Sequence, residues 1–136
     1  MVSVFTRIIR GEIPCYRVAE DADFLAFLDI RPLTVGHTLV IPKLGSRNLL
    51  DADPAVLGPM MVTVQKIARA AQVAFGADGV LIKQFNEPAA GQTVFHLHVH
   101  VLPMVEGVGL RPHSGKMADH TLLAKHAEMI REALGT

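Results

Sequence analysis

The run His96-Leu97-His98-Val99-His100-Val101-Leu102 alternates imidazole and aliphatic side chains without a break. A helix turns every 3.6 residues and would scatter the two classes around its surface, whereas a β-strand sends successive side chains to opposite faces and keeps them apart. The alternation predicts a strand over 94–102. On it His96, His98 and His100 share one face at a spacing of about 6.5–7 Å, and Phe95, Leu97, Val99 and Val101 enter apolar surroundings on the other. Three imidazoles on one face are costly to bury without partners, because each ring nitrogen needs a hydrogen bond and accumulated positive charge repels itself. The chain must therefore fold so that one face of a sheet looks onto polar chemistry.

The remaining elements follow from periodicity and punctuation. Residues 3–10, SVFTRIIR, read as one or two helical turns with Phe5, Ile8 and Ile9 on one side, ended by Gly11 and Pro14. Three strands follow at 16–20, 24–29 and 37–42, separated by turn signals at Glu20-Asp21-Ala22-Asp23 and from Arg31-Pro32 to Gly36. Asp53-Pro54 opens an amphipathic helix that carries Val56, Met60, Val64, Ile67 and Ala71 on one stripe and ends near Gly76. Pro59 forfeits a backbone hydrogen bond inside it, which predicts a kink or a preliminary turn before a helix that begins at Gly58-Pro59. Strands at 80–86 and 94–102 flank the turn-forming segment 87–92, and a closing helix spans about 119–134. The order of elements predicts one α+β domain over 1–136 with a mainly antiparallel five-stranded sheet and two helices.

Composition excludes several classes. Thirteen basic and 13 acidic residues balance, so no electrostatic footprint for a nucleic-acid polymer or an anionic membrane is present. Cys15 is the single cysteine, which rules out an internal disulfide and a Cys-rich zinc module. No apolar run reaches the length of a bilayer span and Met1 to Arg10 lacks a leader pattern, so the expected compartment is the cytoplasm. A half-hydrophobic chain with 19% charged residues predicts an apolar surface of the kind that forms a homodimer.

Two chemistries suit the histidines. A His-x-His pair on a strand can ligate zinc when further ligands converge on it. Alternatively, neutral imidazole is a nucleophile toward phosphorus, with neighbouring histidines and backbone amides stabilising the charge that develops. Gly91-Gln92-Thr93, just before the strand, offers backbone N–H groups and a hydroxyl of the sort that hold an anion. His37, directly after Gly36, is by itself an ordinary strand-end residue, placed where a fourth imidazole could approach.

With its flanks the run resembles the histidine-triad (HIT) superfamily, whose signature His-φ-His-φ-His-φ-φ, with φ apolar, is satisfied at every position of HLHVHVL. Similar blocks occur at 5–14 (FTRIIRGEIP), 20–32 (EDADFLAFLDIRP), 36–43 (GHTLVIPK) and 86–103 (NEPAAGQTVFHLHVHVLP). The resemblance implies a dimer whose sheets join across the two-fold axis, with a nucleotide pocket in each subunit and no cofactor; the departures described below remove the expectation of a metal. His98 matches the nucleophile that attacks an α-phosphate and carries a nucleotidyl intermediate. His100 and His37 match histidines that contact the phosphate, and His96 the supporting first member. Asn86, Gly91, Gln92 and Thr93 match the phosphate and leaving-group side, Asp29 the acceptor for the ribose hydroxyls, and Phe5, Ile8, Ile13, Phe27 and Ile30 the walls around a purine base. Many bacterial members hold zinc with two N-terminal cysteines and a later histidine, where this chain has Ser3, Thr6 and Gly45. The segment after Val105 lacks the tail that shapes substrate choice in the phosphoramidase branch.

The reading that follows is a nucleotide hydrolase or nucleotidyl transferase acting on a purine nucleoside phosphoramidate, phosphate ester or dinucleoside polyphosphate. The competing readings are a nucleotide-binding regulator with incidental hydrolysis and a metal enzyme ligated by the histidine run. His113, His120 and His126 read as tail and helix-face residues, with His113 able to approach a site in a dimer.

Overall fold

The computed structural model describes residues 2–112 and 115–135, so His113 lies outside the described residues. Ser3 caps the first helix, α1 (Val4–Ile9), by accepting the Thr6 N–H at 3.0 Å, and the spacing of Phe5 and Ile8 buries both under one face of the sheet. Strands β1 (Arg17–Glu20), β2 (Phe24–Leu28) and β3 (Thr38–Pro42) form an antiparallel meander. Helix α2 (Pro54–Phe75) then crosses to β4 (Gly79–Lys83), a 3₁₀ turn spans Pro88–Ala90, and β5 (Val99–Met104) precedes α3 (His120–Leu134). All pairings are antiparallel and the spatial order is β1-β2-β3-β5-β4, which leaves β4 at an edge. The fold is α+β, with a five-stranded antiparallel sheet and three helices, the third being the short α1.

Every residue of β2 is buried, and its alternation divides the interior. Phe24, Ala26 and Leu28 join Val40, Val99, Val101 and the stripes of α2 and α3 in the larger core. Leu25 and Phe27 join Leu39, Ile41, Phe5 and Ile8 in a smaller one on the opposite face. The smaller core, closed only by a six-residue helix, leaves room for a cavity on that face.

Helix α2 is continuous through Pro59 rather than beginning at Gly58, with Asp53 capping the Ala55 N–H at 3.0 Å. Pro59 and Ala55 are both exposed, so the Ala55 carbonyl deprived of its N–H partner can be hydrated. Among the described residues no helix is long and apolar enough to cross a membrane.

Two strand boundaries differ from the sequence expectation. Strand β4 stops at Lys83 rather than running to residue 86, because the Gln84 and Asn86 side-chain amides bond each other in both directions (2.9 and 3.0 Å). Strand β5 starts at Val99 rather than 94, since the Leu97 N–H goes to the Ser46 carbonyl at 2.8 Å instead of into the ladder. It also continues through Pro103, where pairing with β3 has ended and only β4 is alongside, so a missing N–H is tolerated.

Candidate active site

The late start of β5 changes the geometry of the histidines. Only His100 lies within the strand, and the three rings do not form an evenly spaced row. His98 and His100 pack edge to face with centroids 5.0 Å apart, closer than extended spacing, while His96 turns toward α1. Of the alternating apolar set, Leu97, Val99 and Val101 are buried as expected, but Phe95 is 40% exposed under the Arg47 guanidinium, which lies 4.3 Å from its ring centroid.

His96 is held by groups distant in sequence, and His98 by a carbonyl two residues away. His96 directs Nε2 to the Pro42 carbonyl at 2.8 Å, which assigns the proton to Nε2. Its Nδ1 then accepts from the Ser3 and Thr6 hydroxyls, each at 3.4 Å. Gly45 lies flat against this ring; a Cβ there would stand 2.5 Å from His96 Cε1. His98 donates Nδ1–H to the His96 carbonyl at 2.7 Å, which leaves its lone pair on Nε2. Burial lowers the pKa of His96 and of His98 below the ordinary imidazole value, more strongly than the carbonyl bond of each raises it. Both rings are accordingly neutral near pH 7.

His37 is delivered by the turn at 33–36. Gly36 has φ +85° and sits so close to the Phe75 ring of α2 that a Cβ would overlap it at 2.3 Å, which only glycine permits. The Leu33 N–H points at His37 Nδ1 (3.1 Å), so the proton resides on Nε2 and is donated to His100 Nδ1 at 2.9 Å. A neutral His100 thereby carries its own proton on Nε2. Asp29 brings one carboxylate oxygen within 3.8 Å of His37 Nε2 and accepts the Arg31 N–H with the other at 2.8 Å. Asp29, His37 and His100 are near enough to share a metal ion. Ligation through His37 Nε2 would, however, require its proton to move to Nδ1, where it would confront the Leu33 N–H. The arrangement fits a hydrogen-bonded chain better than a metal site.

In front of His37, His98 and His100 lies a cavity of about 470 Å³, the size of an ordinary small-molecule site. Phe5, Ile8, Ile13, Phe27 and Ile30 line it together with Asp29, His37, Gly91, Thr93, His98 and His100, so the structure brings most of the expected residues into one space. Three lie elsewhere. His96 does not line the cavity and borders a separate hollow beside Ser3, Thr6 and Gly45. Asn86 accepts the Leu49 N–H at 2.9 Å and pairs with Gln84. Gln92 is buried, with its amide committed to Asn48, Glu87, Arg47 and Val94.

A HIT domain family model matches residues 10–107. The chain belongs to the HIT family. Among its relatives, an uncharacterised HIT-like protein of Mycobacterium tuberculosis is 48% identical over 86% of this chain and 81% of its own length. A protein of Arabidopsis thaliana named as an adenylylsulfatase is 41% identical over 84% of this chain, which spans 61% of that protein. One of Schizosaccharomyces pombe named as an adenosine 5'-monophosphoramidase is 36% identical over 76% of this chain and 74% of its own. The crystal structure of a HIT-like protein from Bartonella henselae superposes with a TM-score of 0.90 at 51% identity, covering 96% of this chain and 95% of that one. A zinc-bound HIT protein from Mycobacterium smegmatis does so at 0.87 and 41%, covering 97% and 92%.

In this HIT chain Ser3, Thr6 and Gly45, noted as departures in the sequence, converge on His96, and hydroxyls occupy the space in front of its Nδ1. Sequence reasoning missed Lys83 and Phe85, which line the cavity beside His100; Lys83 is its cross-strand partner and the Phe85 ring meets it edge-on at 5.6 Å. Their two-residue spacing, continuing the strand pattern, was the available signal.

Proposed function

We propose that this HIT protein is a nucleotide hydrolase or nucleotidyl transferase. It cleaves the bond between the α-phosphorus and its leaving group in a purine nucleoside phosphoramidate, phosphate ester or dinucleoside polyphosphate. The observation that carries the reading is the tie between His98 Nδ1–H and the His96 carbonyl, which makes Nε2 the basic nitrogen of a neutral ring lining the cavity. The His98 Nε2 lone pair forms a P–N bond as the bond from phosphorus to the leaving group breaks; the leaving group departs with the bonding pair and takes any proton it needs from solvent, while His100 Nε2–H hydrogen-bonds a phosphate oxygen. The nucleotidyl-imidazole retains Nδ1–H and becomes cationic, a charge the His96 carbonyl stabilises. Water then attacks phosphorus and releases a proton to solvent, the P–N bond breaks with its electron pair returning to His98 Nε2, and the nucleotide leaves with His98 neutral again. Asp29 accepts the ribose hydroxyls, and Phe5, Ile8, Ile13, Phe27 and Ile30 pack the base, while Gly91 and Thr93 border the phosphate. The names of the Arabidopsis and fission-yeast relatives support this class of substrate. The functional unit is a homodimer joined through the β4 edge, whose backbone groups are open to pairing.

Rapid quenching of the enzyme with adenosine-labelled phosphoramidate, adenylyl sulfate and a dinucleoside polyphosphate tests the mechanism. At least one substrate should leave acid-labile label on the wild-type protein. His98→Ala should carry none and lose turnover while still binding AMP. Turnover without any attached label, or turnover surviving in His98→Ala, overturns the covalent route.

A further inference from the structure

Glu87 is the one non-glycine with positive φ among the described residues, at φ 75° and ψ 156°. That region is open to glycine and crowded for any residue with a Cβ, so it persists only where surrounding contacts hold it. The contacts here are dense. Arg47 donates Nε and Nη2 to the two carboxylate oxygens of Glu87 at 2.7 and 2.9 Å, and Asn48 Nδ2 donates to one of them at 2.7 Å. The Glu87 N–H goes to Gln92 Oε1 at 2.8 Å, and Gln92 Nε2 returns to the Arg47 carbonyl at 2.7 Å, closing a ring between two loops. Asn48 and Gln92 are 1% and 3% exposed, so the ring is anchored in the interior.

The Glu87 and Arg47 side chains are themselves 41% and 50% exposed, and neither residue lines the cavity. An exposed pair of this kind ordinarily contributes little. Its position gives it a role: the chain continues from Glu87 through the 3₁₀ turn at Pro88–Ala90 to Gly91 and Thr93, which do line the cavity. We infer that the Arg47–Glu87 clamp is a positioning device, holding Glu87 in an otherwise unfavourable backbone conformation so that Gly91 and Thr93 stand against the reacting phosphate. The inference rests on the proposed reading of that end of the cavity.

Three variants of the full chain separate strain from charge. Arg47→Ala and Glu87→Ala remove the clamp and keep a Cβ on the crowded backbone, whereas Glu87→Gly removes the clamp and the crowding together. The readouts are kcat and KM on adenosine phosphoramidate, AMP affinity by calorimetry, and amide hydrogen exchange over 88–93. Arg47→Ala and Glu87→Ala should lower kcat about 10- to 100-fold through misplacement of the phosphate contacts, leave AMP affinity nearly unchanged, and accelerate exchange. Glu87→Gly should recover most of the lost kcat and exchange more slowly than Glu87→Ala, an outcome that a merely stabilising ion pair does not produce. Equal impairment of Glu87→Gly and Glu87→Ala overturns the inference, as does wild-type kcat with wild-type exchange in both alanine variants. If the wild-type protein turns over no nucleotide, the functional reading fails and exchange decides the clamp alone: acceleration in both alanine variants beyond that in Glu87→Gly upholds it, and its absence overturns it.

Discussion

The imidazole of His98 is under two opposing influences, burial that lowers its pKa and the bond to the His96 carbonyl that raises it, and burial is the larger. A nucleophile with lowered pKa stays neutral at pH values where an ordinary imidazole is half protonated. The acid limb of the kcat/KM profile should therefore fall below about pH 6.5. A limb above that value would contradict the assignment of His98. The same shifts act on stability. His96 and His98 bind protons less readily folded than unfolded, so their effect is absent above the unfolded pKa and destabilises progressively as pH drops below about 6.5. Gly45 supplies another test at this scale: Gly45→Ala puts a methyl 2.5 Å from a His96 ring pinned by the Pro42 carbonyl. It should cost about 1–3 kcal/mol in urea unfolding and slow turnover with it. The histidine signature made the proposed nucleophile legible, but not which nitrogen carries the proton. For His96 the Pro42 carbonyl and the hydroxyls of Ser3 and Thr6 decide that, and no local pattern links them to it, whereas the Leu33 N–H and the His96 carbonyl act on His37 and His98 from within four residues.

Among the elements, β1, β2, β3 and α3 lie within a residue or so of where alternation, turn residues and the Asp119 cap put them. Strands β4 and β5 do not, because side-chain amides at Gln84 and Asn86 and the Ser46 carbonyl outbid the ladder at their ends. Helix α2 runs through Pro59 because packing of Met60, Val64, Ile67 and Ala70 in the larger core outweighs one missing hydrogen bond. Pro59→Ala restores the N–H to the Ala55 carbonyl at an exposed position and should stabilise the protein by about 1–3 kcal/mol. Since α2 packs on the sheet face opposite the cavity, turnover at 25 °C should be unchanged. Calorimetry beside a kinetic assay checks both, and unchanged stability would mean that the proline is already accommodated without cost.

For the whole molecule the decisive feature is a sheet packed unequally on its two faces. One carries two long helices and the larger core, and the other carries a short helix, a smaller core and the cavity. The edge strand β4 exposes Ile82 to 40% and borders the cavity through Lys83. Sedimentation should give a dimer for the wild type, and Ile82→Asp should shift it toward monomer; a monomeric wild type at assay concentrations would refute assembly through this edge. From residue order alone come the strands, the helices, the family and the imidazole proposed as nucleophile, since strand alternation, helix stripes and capping are set by neighbours a few positions apart. Tertiary structure alone decided the tautomers of His96 and His100, the exclusion of His96 from the cavity lining and the strained turn at Glu87. Each of those depends on hydrogen bonds between separate loops and elements, which exist only after the two cores have brought them together.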